Sequence, residues 1–95
     1  MEWEKVGDVG VDAGGILICD PCYAVGDEPQ LPHPWKAFCD AWFAAEEHGV
    51  AQFPFRRGHE GAAIVVQSGV GDGFYPVFVK RDKSGRVAAV KVEFL

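Results

Sequence analysis

Apolar and polar positions change period twice along the chain, from strand-like alternation to a helical stripe and back. In "KVGDVGVDAGGILICD" two short runs read as β, Val9 to Val11 and then Ile16, Leu17, Ile18 and Cys19, with Gly14 and Gly15 forming the turn between them. "VGDEPQLPHP" is dense in Gly and Pro and reads as a loop. From Pro34 the apolar residues Trp35, Phe38, Cys39, Trp42 and Phe43 fall at i, i+3, i+4, i+7 and i+8, the spacing of an amphipathic helix. Pro34 suits its first turn and Gly49 its stop.

Beyond the helix the alternation is again that of strands. "VAQFPF" is a short strand broken by Pro54, "RRGHEG" is a loop, and "GAAIVVQS" is an apolar run of the buried-strand type. "FYPVFVKRD" and "GRVAAVKVEF" form a hairpin joined at "DKSG", where Gly85 supplies the positive φ that ends such a loop. Pro76 has no N–H to give a ladder, which places it at an edge, a bulge or a strand start. The sum is an α+β fold. It comprises a mainly antiparallel, curled β-sheet, forming a sandwich or a partial barrel, with one amphipathic helix packed on it. Trp35, Phe38, Trp42 and Phe43 are expected to cap the core.

Ninety-five residues, 48% of them apolar, suit a single domain spanning 1–95. The ends show no cationic leader followed by an apolar run, and no stretch approaches a membrane-spanning length, so a cytosolic protein with no membrane contact is expected. A net charge of -5 opposes a broad nucleic-acid surface, which needs clustered Lys and Arg, and leaves room only for a local cationic pocket. Three cysteines are an odd number for a disulfide framework, and reduced thiols are expected.

"ICDPCY", residues 18–23, concentrates the most chemistry in the fewest residues. Cys19 and Cys22 have the spacing of half a zinc site, but the other half is missing: His48 lies half a turn away from Cys39 on a helix, and His33 and His59 pair with nothing. No metal site is assigned on that basis. "CDPC" echoes a redox pair, yet Gly26 and Pro29 come too early for the long helix that acidifies such a thiol, and Asp20 raises a neighbouring thiol's pKa. Cys22 as a nucleophile needs a histidine brought to it. The structural alternative makes Cys19 a buried strand residue and "DPCY" a turn, in which Asp20 accepts a backbone N–H two residues on and Pro21 presets φ.

The segments "VDAGGILICDPCY" and "SGVGDGFYPVFVKRDKSGRVAAVKVEF" together resemble an uncharacterised family of small bacterial and phage domains of unknown function, over about 40 of the 95 residues. The family pattern falls on Asp12, Gly14, Asp20, Gly69, Gly71, Asp72, Gly73, Tyr75 and Pro76. Two positions depart from it: Ala13 stands where the family usually has serine, and Glu93 where it has a closing aspartate. The resemblance implies a fold and a motif cluster, with no activity to transfer.

If the turns gather at one end of the sheet, Asp12, Asp20 and Asp72 converge with Tyr23 and Tyr75, a group able to bind a hard cation or a polar ligand. The bland alternative is that Asp and Gly are simply what tight turns require. "SGVGDG" is not a phosphate loop of the NTPase kind, since no Gly-Lys-Ser or Gly-Lys-Thr follows and it opens a strand. "FRRGHEG" is the better anion candidate, with Arg56, Arg57 and His59 in one loop, although a solvated surface loop reads the same way.

The candidate ligand-binding residues are thus Asp12, Asp20, Cys22, Tyr23, Asp72, Tyr75, Arg56 and Arg57. No catalytic residue is assigned and no cofactor is expected. Three functions fit these residues. The first, and the one favoured, is a non-enzymatic binding module, of phage type, for a small polar or nucleotide-like ligand or a host protein partner. The second is a minimal hydrolase using Cys22 or a carboxylate-bound metal. The third is a structural or assembly protein associating through its apolar strands and an edge near Pro76. A homodimer fits all three.

Overall fold

The computed structural model describes residues 2–95. The strand alternation resolves into two open, three-stranded antiparallel sheets, and the fold class is α+β. The chain divides into two compact units: the segment up to Gly14 joined with Ser68–Leu95, and the contiguous stretch Gly15–Gln67.

The first unit holds β1 (Glu4–Val11), β5 (Gly73–Arg81) and β6 (Val87–Val92) in the order β1-β5-β6. β1 is longer than the apolar run Val9–Val11 predicts, because its polar half, from Glu4, pairs with β5 as far as Val79. Residues directly opposite in such a ladder share a face. Val9 faces Tyr75 and Val77 faces Val92, and on this side Tyr75 and Val79 are buried. Phe94 closes over Tyr75 edge-on, ring centroids 5.2 Å apart. On the other side Lys80 and Lys91 lie 4.7 and 4.5 Å from the ring of Trp3.

The β5–β6 hairpin forms as the sequence predicts. Asp82 organises its turn by accepting the N–H groups of Ser84 and Arg86, and Gly85 takes φ 85°. Pro76 is a correction. It lies inside the central strand, opposite Asp8, at neither an edge nor a strand start. Its carbonyl accepts Glu93 N–H at 3.3 Å, so its nitrogen also faces the β6 side, one pair beyond the last pair, Val77 with Val92. The missing N–H thus falls where the β6 ladder ends, and the β1 ladder loses nothing.

The second unit holds β2 (Gly15–Cys19), α1 (Pro21–Val25), α2 (Trp35–Ala45), β3 (Val50–Pro54) and β4 (Glu60–Gln67), with sheet order β2-β4-β3. Gly14, at φ 82°, makes the turn before β2, whereas Gly15 already belongs to the strand. β1 and β2 are not hairpin partners, since each pairs in a different sheet. β4 is central, as its apolar run predicts, and Ala62, Ala63 and Val65 are buried there. They join Leu31, Trp42, Ala51 and Phe53 in one core, with Phe38 and Ala41 of α2 packed on it.

Only part of the helical stripe caps that core. Trp42 is 4% exposed, while Trp35 and Phe43 stand 60% and 66% exposed. A helix lying on one short strand presents a single row inward, here Phe38, Ala41 and Trp42. Trp35 then stacks on Phe38 at 5.6 Å, and Phe43 on Trp42 at 5.5 Å. The helix also ends earlier than Gly49 suggests. Glu46 is already extended, and His48 (φ 53°) with Gly49 (φ 82°) forms a two-residue turn closed by the Glu47 and Val50 backbones. Glu46 instead ties helix to sheet, accepting the Trp42 indole N–H at 2.9 Å and the Gln67 amide at 2.8 Å. Among the described residues, no helix is long and apolar enough to cross a membrane.

Candidate functional site

The eight candidates divide between the units. Asp12, Asp72 and Tyr75 belong to the first, and Asp20, Cys22, Tyr23, Arg56 and Arg57 to the second.

In the first unit the motif residues serve the backbone. Ser68, 1% exposed, places its hydroxyl inside the turn, where Oγ accepts Gly71 N–H at 2.9 Å and donates to the Gly71 carbonyl at 2.6 Å. Tyr75, buried, donates its phenol hydrogen to that same carbonyl. Asp72 Oδ1 accepts Gly14 N–H at 3.1 Å, and Gly14 in turn accepts Ser68 N–H at 3.0 Å. Gly69 and Gly71 take φ 72° and 106°, values only glycine adopts without strain. Asp12 is exposed. Among the described residues, no three His, Cys, Asp or Glu side chains gather so as to hold a metal ion.

In the second unit, "DPCY" is one helical turn. Asp20 is its N-cap, Oδ1 accepting Cys22 N–H at 3.0 Å, and Pro21 occupies the first helical position. Gly26 N–H bonds the Cys22 carbonyl at 3.0 Å while its own backbone turns extended, which ends the helix, and a Cβ at that position would run into the same carbonyl. The Cys22 N–H bond holds the Asp20 carboxyl below its ordinary range. Hydrogen bonding to the Asp20 carboxylate pushes the Cys22 thiol up, and burial followed by the Asp20 charge does the same to Cys19. All three cysteines are unpaired. Both thiols of the Cys-x-x-Cys are therefore biased towards the protonated form, opposite to an activated nucleophile or a redox pair.

Of the remaining candidates, Tyr23 and the Arg56 backbone are linked through Phe55 and Gln30. Tyr23 of α1 packs edge-on against Phe55, centroids 5.1 Å apart, and Phe55 meets the His59 ring at 4.6 Å. Gln30 bridges the same elements: its N–H donates to the Tyr23 carbonyl at 2.8 Å, and its Oε1 accepts Arg56 N–H at 3.2 Å. The β3–β4 turn is closed by Phe55 N–H on the His59 carbonyl and Gly58 N–H on the Phe55 carbonyl, with Gly58 at φ 108°. His59 Nδ1 lies 3.1 Å from the Glu60 carbonyl, an oxygen that only accepts, so Nδ1 carries the hydrogen. Arg56 and Arg57 are exposed at the tip, and neither joins an ion pair among the described residues.

The profile of a family of proteins of unknown function, DUF4241, matches residues 6–92. The chain belongs to that family. The match runs well beyond the two motif segments that first carried the resemblance. No curated protein and no solved structure matches the chain. In this DUF4241 domain the turn motif and the Cys-x-x-Cys both have local structural work, whereas the Arg56 and Arg57 guanidinium groups join no ion pair among the described residues. Sequence reasoning missed Phe55 and Gln30, which join α1 to the β3–β4 turn. Phe55 looks like any strand-end aromatic, and nothing in "EPQLP" marks Gln30 as a bridge.

Proposed function

We propose that this DUF4241 domain is a non-enzymatic binding module that recognises a small anionic, nucleotide-like ligand at the Arg56–Arg57 turn. One observation carries the reading: two arginines that join no ion pair among the described residues stand on a turn anchored, through Gln30 and Phe55, to Tyr23 and His59. Guanidinium groups bind phosphate or carboxylate in a bidentate fork, and an aromatic cluster beside them suits a flat ring. Fixing the turn backbone in advance reduces the ordering cost of binding. The protonated bias of Cys22 supports binding in preference to hydrolysis at "DPCY". Unpaired thiols are consistent with a reducing compartment, and we place the protein in the cytosol.

The test is calorimetric titration of the full chain with nucleoside mono-, di- and triphosphates and with inorganic phosphate. Binding that weakens with added salt, and at least about tenfold in Arg56→Ala/Arg57→Ala, is the expected result. Cys22→Ala leaves it unchanged. Titrations without heat for any of these anions, or an unaltered affinity in the double variant, would sink the proposal.

A further inference from the structure

The described residues form four sheet edges, and three of them are guarded. β1 carries Glu4, Lys5 and Asp8 and a register shift between Lys5 and Gly7. β6 carries Lys91, and its pairing shifts at Arg81. β3 ends in Pro54, with a shift beside it. Charge, proline and irregularity are the devices that stop an edge from recruiting another strand. β2, Gly15-Ile16-Leu17-Ile18-Cys19, has none of them, and its register to β4 is unbroken. Among the described residues, no backbone hydrogen bond reaches these five apart from those of its own ladder. The edge is also accessible, with Leu17 39% and Ile18 53% exposed.

The side chains of β2 specify what fits there. Read in either direction from Leu17 the strand has the same chemistry: an isoleucine on each side, then a small residue. An antiparallel pair of two such strands centred on Leu17 sets Leu17 against Leu17, and Ile16 of each copy against Ile18 of the other. Cross-strand pairs of β-branched residues are favourable units of sheet stability. Ile16 and Ile18 also belong to an uncharged face, since Ile16 lies beside Val66, which lies beside Val50, and Ile18 lies beside Ile64. A chain of net charge -5 repels its own copies over most of its surface, whereas the ladder rows that meet β2, Ile16 with Val66 and Val50 and Ile18 with Ile64 and Gln52, carry no charge, and Glu60, opposite Pro54, lies beyond the end of the β2 pairing.

We infer that β2 is a homodimerisation edge, at which two copies pair antiparallel about Leu17 and join their β2-β4-β3 sheets into one of six strands. Such a pairing is isologous and closes on itself, so it yields dimers and not filaments. The occupant is a second copy because the strand is its own complement.

The experiment is sedimentation velocity on the full chain from low to high micromolar concentration, followed by two variants. The expected result is a monomer–dimer equilibrium. Ile18→Lys places an ammonium against Ile16 of the partner and shifts the protein to monomer, its circular dichroism unchanged. Ile16→Lys/Ile18→Glu places each new lysine opposite a glutamate and restores the dimer, an outcome only the Leu17-centred register gives. Hydrogen exchange on the unaltered protein covers the case in which a variant fails to fold: protection within Gly15–Cys19 rises with concentration. A monomer throughout, a dimer untouched by Ile18→Lys, or exchange in β2 independent of concentration overturns the inference.

Discussion

Removing the Ser68 hydroxyl tests whether the Ser-Gly-x-Gly-Asp-Gly-x-Tyr segment is a folding device. Ser68→Ala deletes two contacts at once, the acceptor for Gly71 N–H and one of two donors to the Gly71 carbonyl. The site is 1% exposed, so water does not readily replace them. Leaving the amide without a partner costs about 1–3 kcal/mol. Tyr75→Phe removes one donor to a carbonyl that Ser68 still serves, and costs about 0.5–1.5 kcal/mol. Because both hydroxyls converge on one oxygen, the double variant leaves it bare, and its loss exceeds the sum by about 0.5–1 kcal/mol. Urea denaturation at neutral pH measures all three as shifts in midpoint at constant m, and thermal midpoints fall by roughly 4–8 °C per kcal/mol. A Ser68→Ala loss below about 0.5 kcal/mol, or a strictly additive cycle, would refute the shared-carbonyl reasoning.

Two further outcomes follow from the second unit. Glu46→Ala strips the acceptor from the buried Trp42 indole and from Gln67, and lowers stability by about 1–3 kcal/mol in denaturant titration, while Glu46→Gln, which keeps an oxygen there, costs less. Cys22 alkylates more slowly than a free cysteine at mildly alkaline pH, and Asp20→Asn speeds it, because the carboxylate holds the thiol protonated. A Cys22 faster than free cysteine would overturn that account. The Cys22 N–H bond lowers the Asp20 pKa, so the α1 cap is complete above the ordinary carboxylate range. It is lost as pH falls through the depressed folded value.

Much of the fold was legible because its signals are local. The β5–β6 hairpin, the α2 helix and the apolar run of β4 each announce themselves within one contiguous stretch of sequence. The Asp20 cap was legible for the same reason, since an Asx contact spans two residues. What escaped depends on partners remote in sequence. Pro76 is tolerated inside β5 only because β6 ends beside it, and Trp35 and Phe43 stay exposed only because β3 is too narrow for the whole stripe. The candidate site shows the same division. Arg56 and Arg57 are visible as a basic pair, but their junction with Tyr23 runs through Gln30, 26 residues from Arg56, with no pattern to betray it.

The pairing of β1 with β5 sets the order in which the molecule is completed. Residues joined in that ladder are separated by 62 positions at Val11–Gly73 and by 75 at Glu4–Val79. As the chain leaves the ribosome β1 therefore waits, without a partner, until β5 has been synthesised. The stretch Gly15–Gln67 brings all of its own strands with it and is complete earlier. A nascent chain arrested before Gly73 carries every residue of the arginine turn and of the β2 edge, yet leaves Glu4–Val11 unpaired, which makes the amino-terminal strand the segment for chaperones or proteases to find first.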